Sequence, residues 1–357
     1  MRILAVNPGS TTTKISVFEN ESEAWSLKLT HSAEELAPYG AGIFNQYSFR
    51  RDVILAALKE AGYPVHSLDG VVGRGGLVKP IPGGTYQVDD NLLKDLEAGI
   101  MGQHASNLGG PIAWELAKTA GCPAFIVDPV VVDEMMPIAK FSGHPALARK
   151  SIFHALNQKA VARKAAKELG RDYHECNFIV IHLGGGISVG AHKNGQVIDV
   201  NNALDGDGPF TPERSGGLPA GDLVRLCFSG KYTQSDLLKM IKGSGGIVAY
   251  LGTNNMMQVE DEVEKGNRKW FEVYRAMAYQ IAKDTGAMAA VLKGDVDAVI
   301  VTGGIAYDKK FVEWLKEMVA FIAPVMVYPG EMEMEALALG AFRVLTNKEE
   351  PRFYNPE

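Results

Sequence analysis

Apolar residues along the chain fall into short unbroken runs separated by glycine, proline and hydroxyl-rich breaks. Residues 3–6, 14–18 and 24–29 read as three consecutive strands, a meander. The spacing of Val53, Ile54, Ala57 and Leu58 predicts a helix over 50–61, and 92–96 and 112–120 also carry helical spacing. Between them, "LDGVVGRGGLVKPIPGG" takes a short apolar strand into a Gly/Pro-rich loop, and "CPAFIVDPVVVDEM" is a buried strand that ends at Asp128-Pro129. The second half repeats the opening. Residues 178–183 form an apolar strand, Gly184 to Gly186 a turn, 187–191 a strand, and Asn194-Gly195 a hairpin turn into 197–200. Ile179 stands 176 residues after Ile3, roughly half the chain, so one supersecondary unit is expected twice. Helical stretches at 237–241 and 268–292 precede a last strand at 298–302 and a second Gly-Gly turn. Strands alternating with helices after a meander predict an α/β protein of two lobes, each with a mixed sheet.

Length and charge narrow the class. A chain of 357 residues with 46% apolar content is too long for one ordinary core, in keeping with two lobes. A net charge of −6 without a long Lys/Arg run leaves no basic field for a polyanionic backbone, which argues against nucleic acid as a partner. Cys122, Cys176 and Cys227 are far apart and form no Cys-x-x-Cys pair, so neither a disulfide framework nor a structural zinc site is expected, and a reducing cytoplasm fits. No basic segment with an apolar follow-on opens the sequence, and no run approaches about eighteen apolar residues, so neither secretion nor a membrane partner is expected.

The candidate chemistry lies in the turns. In "VNPGSTTTKISVF" the strand breaks at Pro8-Gly9 and passes four hydroxyl side chains, Ser10, Thr11, Thr12 and Thr13, before resuming at Lys14. A surface hairpin needs only two turn residues, so the surplus donors suggest an anion. Amides of such a turn can form a nest for phosphate oxygens, with Lys14 adding charge at its far end. "HLGGGISV" offers three glycines, Gly184, Gly185 and Gly186, where a backbone can approach a bulky anion without a Cβ in the way. "IVTGGIA" places Gly303, Gly304 and Ile305 at a strand end, where open α/β sheets bind ligands. The common P-loop pattern is absent. Together the three turns predict a nucleotide held between two lobes.

This combination resembles the superfamily of acetate and sugar kinases, heat-shock chaperone ATPases and actin. Seven segments, "NPGSTTTK", "VGRGGL", "HLGGG", "PERSGGLPAGDL", "GNRKWFEVYRAMAYQIAKDTGA", "VTGGI" and "YPGEMEMEALALGAFRVL", resemble the acetate kinase family over essentially the whole length, with "PERSGG" and "PGE" closer to its butyrate kinase branch. The resemblance implies a duplicated βββαβαβα core of ribonuclease H-like, actin-type ATPase fold, with the nucleotide in the interlobe cleft. The expected lobes are 1–151 and a nucleotide-binding lobe 152–331, with a C-terminal helix in 332–357 packing back on the first. It further implies ATP/ADP and magnesium as cofactors, a short-chain carboxylic acid and its acyl phosphate as substrate and product, and a homo-oligomer.

The chemistry implied is transfer of the γ-phosphoryl group of ATP to butyrate or another short-chain or branched fatty acid. Such an acid has a pKa of about 4 to 5, so at neutral pH it is ionised and needs no general base. The obstacle is charge: at about 4 Å two unit charges repel by about 4 kcal/mol at intermediate dielectric, and cations must cancel that. Arg74 in "GRGG" and Arg214 in "PERSGG" sit in Gly-rich loops where a guanidinium fork reaches ligand oxygens. We assign Arg74 to the carboxylate and Arg214 to the phosphoryl group, roles that can be exchanged. Asp128 ends its strand either as a capped turn residue or as a site carboxylate; the resemblance favours the site, where it would orient an arginine or a metal-bound water. Asn7 and Glu333 match positions linked to magnesium in the family, with Glu331 the neighbouring candidate. His182, His104 and His154 fit the family's pattern, His154 as a donor to a phosphoryl oxygen. Acetate kinases carry a second histidine four residues after His154, where this chain has Gln158. The stretch 242–256 resembles a loop near the nucleotide. The stripe Trp270, Val273, Tyr274, Met277 and Ile281 is explained by core packing. Two other readings remain: a sugar or hydroxyl kinase, which needs a base, and a non-enzymatic nucleotide switch of actin or chaperone type.

Overall fold

The structure is a computed structural model, and it describes residues 1–40 and 42–355. The chain divides into two compact units, one of Met1–Val132 with Met332–Glu357 and one of Asp133–Glu331. Residues 356 and 357, the end of the expected C-terminal segment, lie outside the described residues.

In the first unit, strands β1 (Arg2–Pro8), β2 (Thr12–Glu19), β3 (Ser22–Thr30), β4 (Gly70–Arg74), β5 (Thr85–Gln87) and β6 (Ala124–Val127) form one sheet in the order β3-β2-β1-β4-β6-β5. Hairpins join β1, β2 and β3 antiparallel, while β1, β4 and β6 run parallel. The unbroken apolar run of β1 reflects burial on both faces, as parallel neighbours require. β3 stands at the edge and is mostly exposed, with charged residues that discourage further pairing.

Two helices cover this sheet from opposite sides. A Cβ on Gly73 would lie 2.0 Å from the carbonyl oxygen of Gly109, and one on Gly70 would lie 2.9 Å from Leu345 Cδ1. Positions three apart on a strand face opposite ways, so the helix Gly109–Ala120 lies on one face and Glu333–Leu345 on the other. The first of these helices begins three residues before the expected 112, at Gly109-Gly110-Pro111. Glycine is a poor helix former, which hid the start, yet the crossing over Gly73 requires it there. Gly73→Ala should lower stability by about 3 kcal/mol, because the new methyl meets backbone that cannot yield. A thermal melt of the variant tests this; an unchanged midpoint would contradict the close crossing.

The second unit repeats the arrangement. Strands β7 (Asn177–Leu183), β8 (Ile187–Lys193), β9 (Gln196–Val200), β10 (Ala298–Gly303) and β11 (Val325–Pro329) lie in the order β11-β10-β7-β8-β9. β7, β8 and β9 pair antiparallel, and β10 and β11 run parallel to β7. This is the order β6-β4-β1-β2-β3 of the first unit with the same strand directions, so the meander and its parallel continuation occur twice. The core of this unit packs the helices Arg268–Val291 and Lys309–Val319 on the sheet. Tyr274, Met277 and Ile281 are buried there, with Trp270 and Val273 packed against them, so the apolar stripe is core. Tyr274 donates its hydroxyl to Asp308, 2.9 Å away, and Asp308 caps the following helix through the Phe311 amide.

The units divide at 132/133 rather than at the expected 151/152. The intervening segment is sewn to β9 and its hairpin. Met136 donates its amide to Ile198 O, the Val197 amide donates to Glu134, and Arg149 donates to Val200 O. A buried ion pair, Lys159 to Glu134 at 3.0 Å, completes the seam. None of these partners is adjacent in sequence, so no local signal marks the boundary.

Candidate active site

In the first unit the parallel strands β1, β4 and β6 end along one edge of the sheet, the edge at which open α/β sheets hold ligands. Asn7 and Arg74 stand in the last two residues of β1 and β4, and Asp128 directly follows β6. Glu333 opens the helix that packs on these strands. Its Oε2 accepts from Arg74 Nη1 at 2.7 Å and from Asn7 Nδ2 at 2.8 Å, and Arg74 Nη1 also lies 3.3 Å from Asn7 Oδ1. Three residues separated by up to 326 positions thus form one half-buried cluster. Glu333 Oε1 accepts no hydrogen bond among the described residues.

Asp128 is buried and adopts φ of +38°, a left-handed conformation that aspartate tolerates better than most residues. Its Oδ1 accepts from the Gly84 amide at 2.7 Å, and its own amide donates to Gly84 O at 3.1 Å. Through that oxygen and its own amide, Asp128 latches the strand end to the Gly/Pro-rich loop.

The hydroxyl turn splits into two parts. Ser10 and Thr11 are exposed, and neither their amides nor the hydroxyls of Ser10, Thr11 and Thr12 have a hydrogen-bond partner among the described residues. Thr13 is buried and bonded to His31 and Arg50, so it belongs to the framework. Lys14 is exposed and pairs with Asn7 in the β1–β2 register. Directly paired residues project to the same face, which puts the ammonium on the side of the Asn7 amide.

In the second unit the two glycine turns meet. Gly184, Gly185, Gly304 and Ile305 line a cleft of about 260 Å³ together with Pro212, Glu213, Asn254 and Met256. The 242–256 stretch therefore reaches the cleft at its end, where Asn254 donates to Glu213 at 3.2 Å. Gly303 does something else: with φ of +95° and a would-be Cβ 2.3 Å from Leu183 O, it lets the ends of β10 and β7 touch. Sequence spacing could not separate it from Gly304.

Gly186 makes room for an arginine. A Cβ there would lie 1.9 Å from Arg214 Nη1, which donates to Ala203 O at 2.6 Å. Arg214 Nε is buried without a partner among the described residues, and burial lowers the guanidinium pKa. A half-buried cation with an unused, buried donor is primed for an anion. Thr211, unremarked in the sequence, ties the two loops: its hydroxyl donates to Gly185 O at 2.7 Å and accepts from the amides of Glu213 and Arg214.

His182 and His154 stack with centroids 3.7 Å apart and planes 8° from parallel. Asn157 donates to His182 Nδ1 at 2.9 Å, which leaves the ring proton on Nε2, 3.7 Å from Glu331 Oε1. His154 Nδ1 meets Ser188 Oγ at 2.9 Å. Gln158, in place of a second histidine, donates to Ser188 Oγ and Ser188 O and accepts from His192, whose other nitrogen meets the Tyr173 hydroxyl. Burial, and then Lys159 and Arg163, hold the His192 pKa well below its ordinary value, so His192 is neutral. Ser188 Oγ, which accepts from Gln158, can donate to His154 Nδ1, an arrangement that puts the His154 proton on Nε2. His104 is exposed and caps a short helix, its Nδ1 accepting from the Ser106 amide. No group of three or more His, Cys, Asp or Glu side chains converges as a metal cage among the described residues.

The model of the acetokinase family matches residues 137–322. Over 353 residues the chain is 59% identical to butyrate kinase 2 and 55% identical to butyrate kinase 1 of Clostridium acetobutylicum, each alignment covering 99% of both chains. Among solved structures, acetate kinase of Porphyromonas gingivalis is similar with a TM-score of 0.77 at 20% identity, covering 97% of this chain and 99% of that one, which establishes a shared fold.

Proposed function

This chain belongs to the acetokinase family, and we propose that it transfers the γ-phosphoryl group of ATP to butyrate, giving butyryl phosphate and ADP, and runs in reverse. The observation that carries this reading is the division of labour at the strand ends. Arginines stand at both sites, Arg74 in the first unit and Arg214 in the second, while the strand-end carboxylate Asp128 holds the Gly84 amide. Cations at both sites, with the strand-end carboxylate engaged by a backbone amide, suit an acceptor that is already ionised.

A carboxylate oxygen of butyrate attacks the γ-phosphorus, the bond from that phosphorus to the βγ-bridging oxygen breaks, and ADP leaves with the electron pair. No proton moves. Arg74 binds and orients the acid, exchanging part of its contact with Glu333 for the substrate. Arg214 uses its free Nε and its fork on the phosphoryl oxygens, and His154 donates from Nε2. Amides of Ser10 and Thr11, the hydroxyls of Ser10, Thr11 and Thr12, and Lys14 supply donors for phosphate oxygens; Gly184, Gly185, Gly186, Gly304 and Ile305 admit the nucleotide. Glu213 beside that cleft repels phosphate and accepts from hydroxyls or amines, so the cleft suits the nucleoside end. Magnesium would be held by Asn7 Oδ1 and Glu333 Oε1, hard oxygens of the kind it takes in ones and twos, and would supply charge neutralisation at the phosphates. Glu331, beside His182, is the second choice. A cytoplasmic homo-oligomer belongs to the same proposal.

Hydroxylamine trapping of the acyl phosphate tests the reading. Hydroxamate should form with ATP, magnesium and butyrate, and a sugar should give none; ATP binding with no product from butyrate, isobutyrate, propionate or acetate would contradict it.

A further inference from the structure

Behind the hydroxyl turn lies a feature that its sequence position conceals. Arg50, in the helix Tyr47–Glu60, is fully buried, and its guanidinium closes on the turn from beneath. Nη1 donates to Gly9 O at 2.8 Å, Thr12 O at 3.0 Å and Thr13 Oγ1 at 3.1 Å; Nη2 donates to Ser10 O at 2.9 Å; Nε and Nη2 both donate to Gln46 Oε1. Every one of these partners is neutral. Thr13 in turn meets His31 Nε2 at 2.9 Å, and burial, then Arg50, lowers the His31 pKa, so this neighbour is neutral as well.

Two consequences follow from elementary geometry and electrostatics. A trans peptide sets the N–H of one residue opposite the C=O of the residue before it. Fixing the carbonyls of Gly9 and Ser10 on the guanidinium therefore turns the amides of Ser10 and Thr11 away from it, and these are the amides left without a partner among the described residues. A buried charge with no carboxylate in contact among the described residues is also costly, and its field is not cancelled locally. An anion on the outer side of the turn would see aligned N–H dipoles with a full positive charge behind them.

We propose that Arg50 is a positioning residue for the phosphate-binding turn, one that touches no substrate but shapes Gly9–Thr13 and charges it from behind. This rests on the kinase reading above, in which the turn receives phosphate oxygens. The partner it serves is the polyphosphate of the nucleotide and not its adenosine.

The test is calorimetric binding of ATP and of AMP to the full chain, wild type and variant, with folding checked by circular dichroism. Arg50→Met should weaken ATP at least about tenfold, about 1.4 kcal/mol, while AMP changes less than about twofold. Arg50→Lys, which keeps the charge without the fork, should recover part of the loss. A folded Arg50→Met that keeps the wild-type preference for ATP over AMP overturns the role of Arg50 alone. A wild type that binds AMP as tightly as ATP removes the phosphate-site reading and this proposal with it. If Arg50→Met does not fold, Gln46→Leu decides: it keeps the cation but frees two of its donors, and should weaken ATP about threefold with AMP unmoved. Unchanged ATP affinity in that variant overturns the proposal.

Discussion

Arg214→Ala is expected to lower kcat by about 10²- to 10³-fold while changing the KM for ATP by less than about threefold, the pattern of an interaction made only as charge develops in the transition state. The structural reason is the buried Nε with no partner among the described residues and the close approach of the guanidinium that Gly186 permits. Loss of the side chain removes a cation that has been desolvated in advance, so little reorganisation accompanies its use. Arg214→Lys should recover only a small part, because an ammonium keeps the charge and loses the planar fork. Steady-state kinetics with saturating butyrate decide it. Unchanged turnover would place Arg214 outside the site.

Arg74→Ala should act on the acid instead. Removing the guanidinium takes away the cation that butyrate meets and leaves Glu333, 12% exposed, bonded to the Asn7 amide alone among the described residues. A charge-assisted hydrogen bond is worth about 1.5–3 kcal/mol, so the KM for butyrate should rise by about 10- to 100-fold, with a smaller fall in kcat. Varying butyrate at saturating ATP separates the two. Should KM for butyrate stay constant while kcat collapses, and Arg214→Ala show the reverse, the two arginines have exchanged roles.

Much of this framework was legible because glycine and hydroxyl turns punctuate apolar runs. The meander at 3–29 and its echo at 178–200 could be aligned from those turns alone, and the structure repeats them with matching strand order. What stayed hidden was mainly non-local. β5 is three residues long, too short for its own periodicity to mark it; β11 followed a helix without a turn signal strong enough to mark it. The helix at Gly109 began with residues that propensity disfavours, because packing against Gly73 outweighs a propensity of about 1 kcal/mol. Within the site, Arg74 and Arg214 were visible as cations in glycine-rich loops. Arg50 was not, since its partners lie about forty residues upstream and a helix-start arginine normally faces solvent. Gln158 looked like a missing histidine, whereas its amide satisfies Ser188 and His192 at once, a fit that only coordinates reveal.

The central claim is that the acid itself, ionised and unassisted by a base, attacks phosphorus. Phosphorus-31 NMR of the product made from ATP and butyrate labelled with oxygen-18 in both carboxylate positions tests this most directly. The account predicts butyryl phosphate whose phosphorus carries one oxygen-18, in the bridge to the acyl carbon. Product phosphorus bearing only unlabelled oxygen would mean that the carboxylate oxygen was not the nucleophile, and would contradict the account.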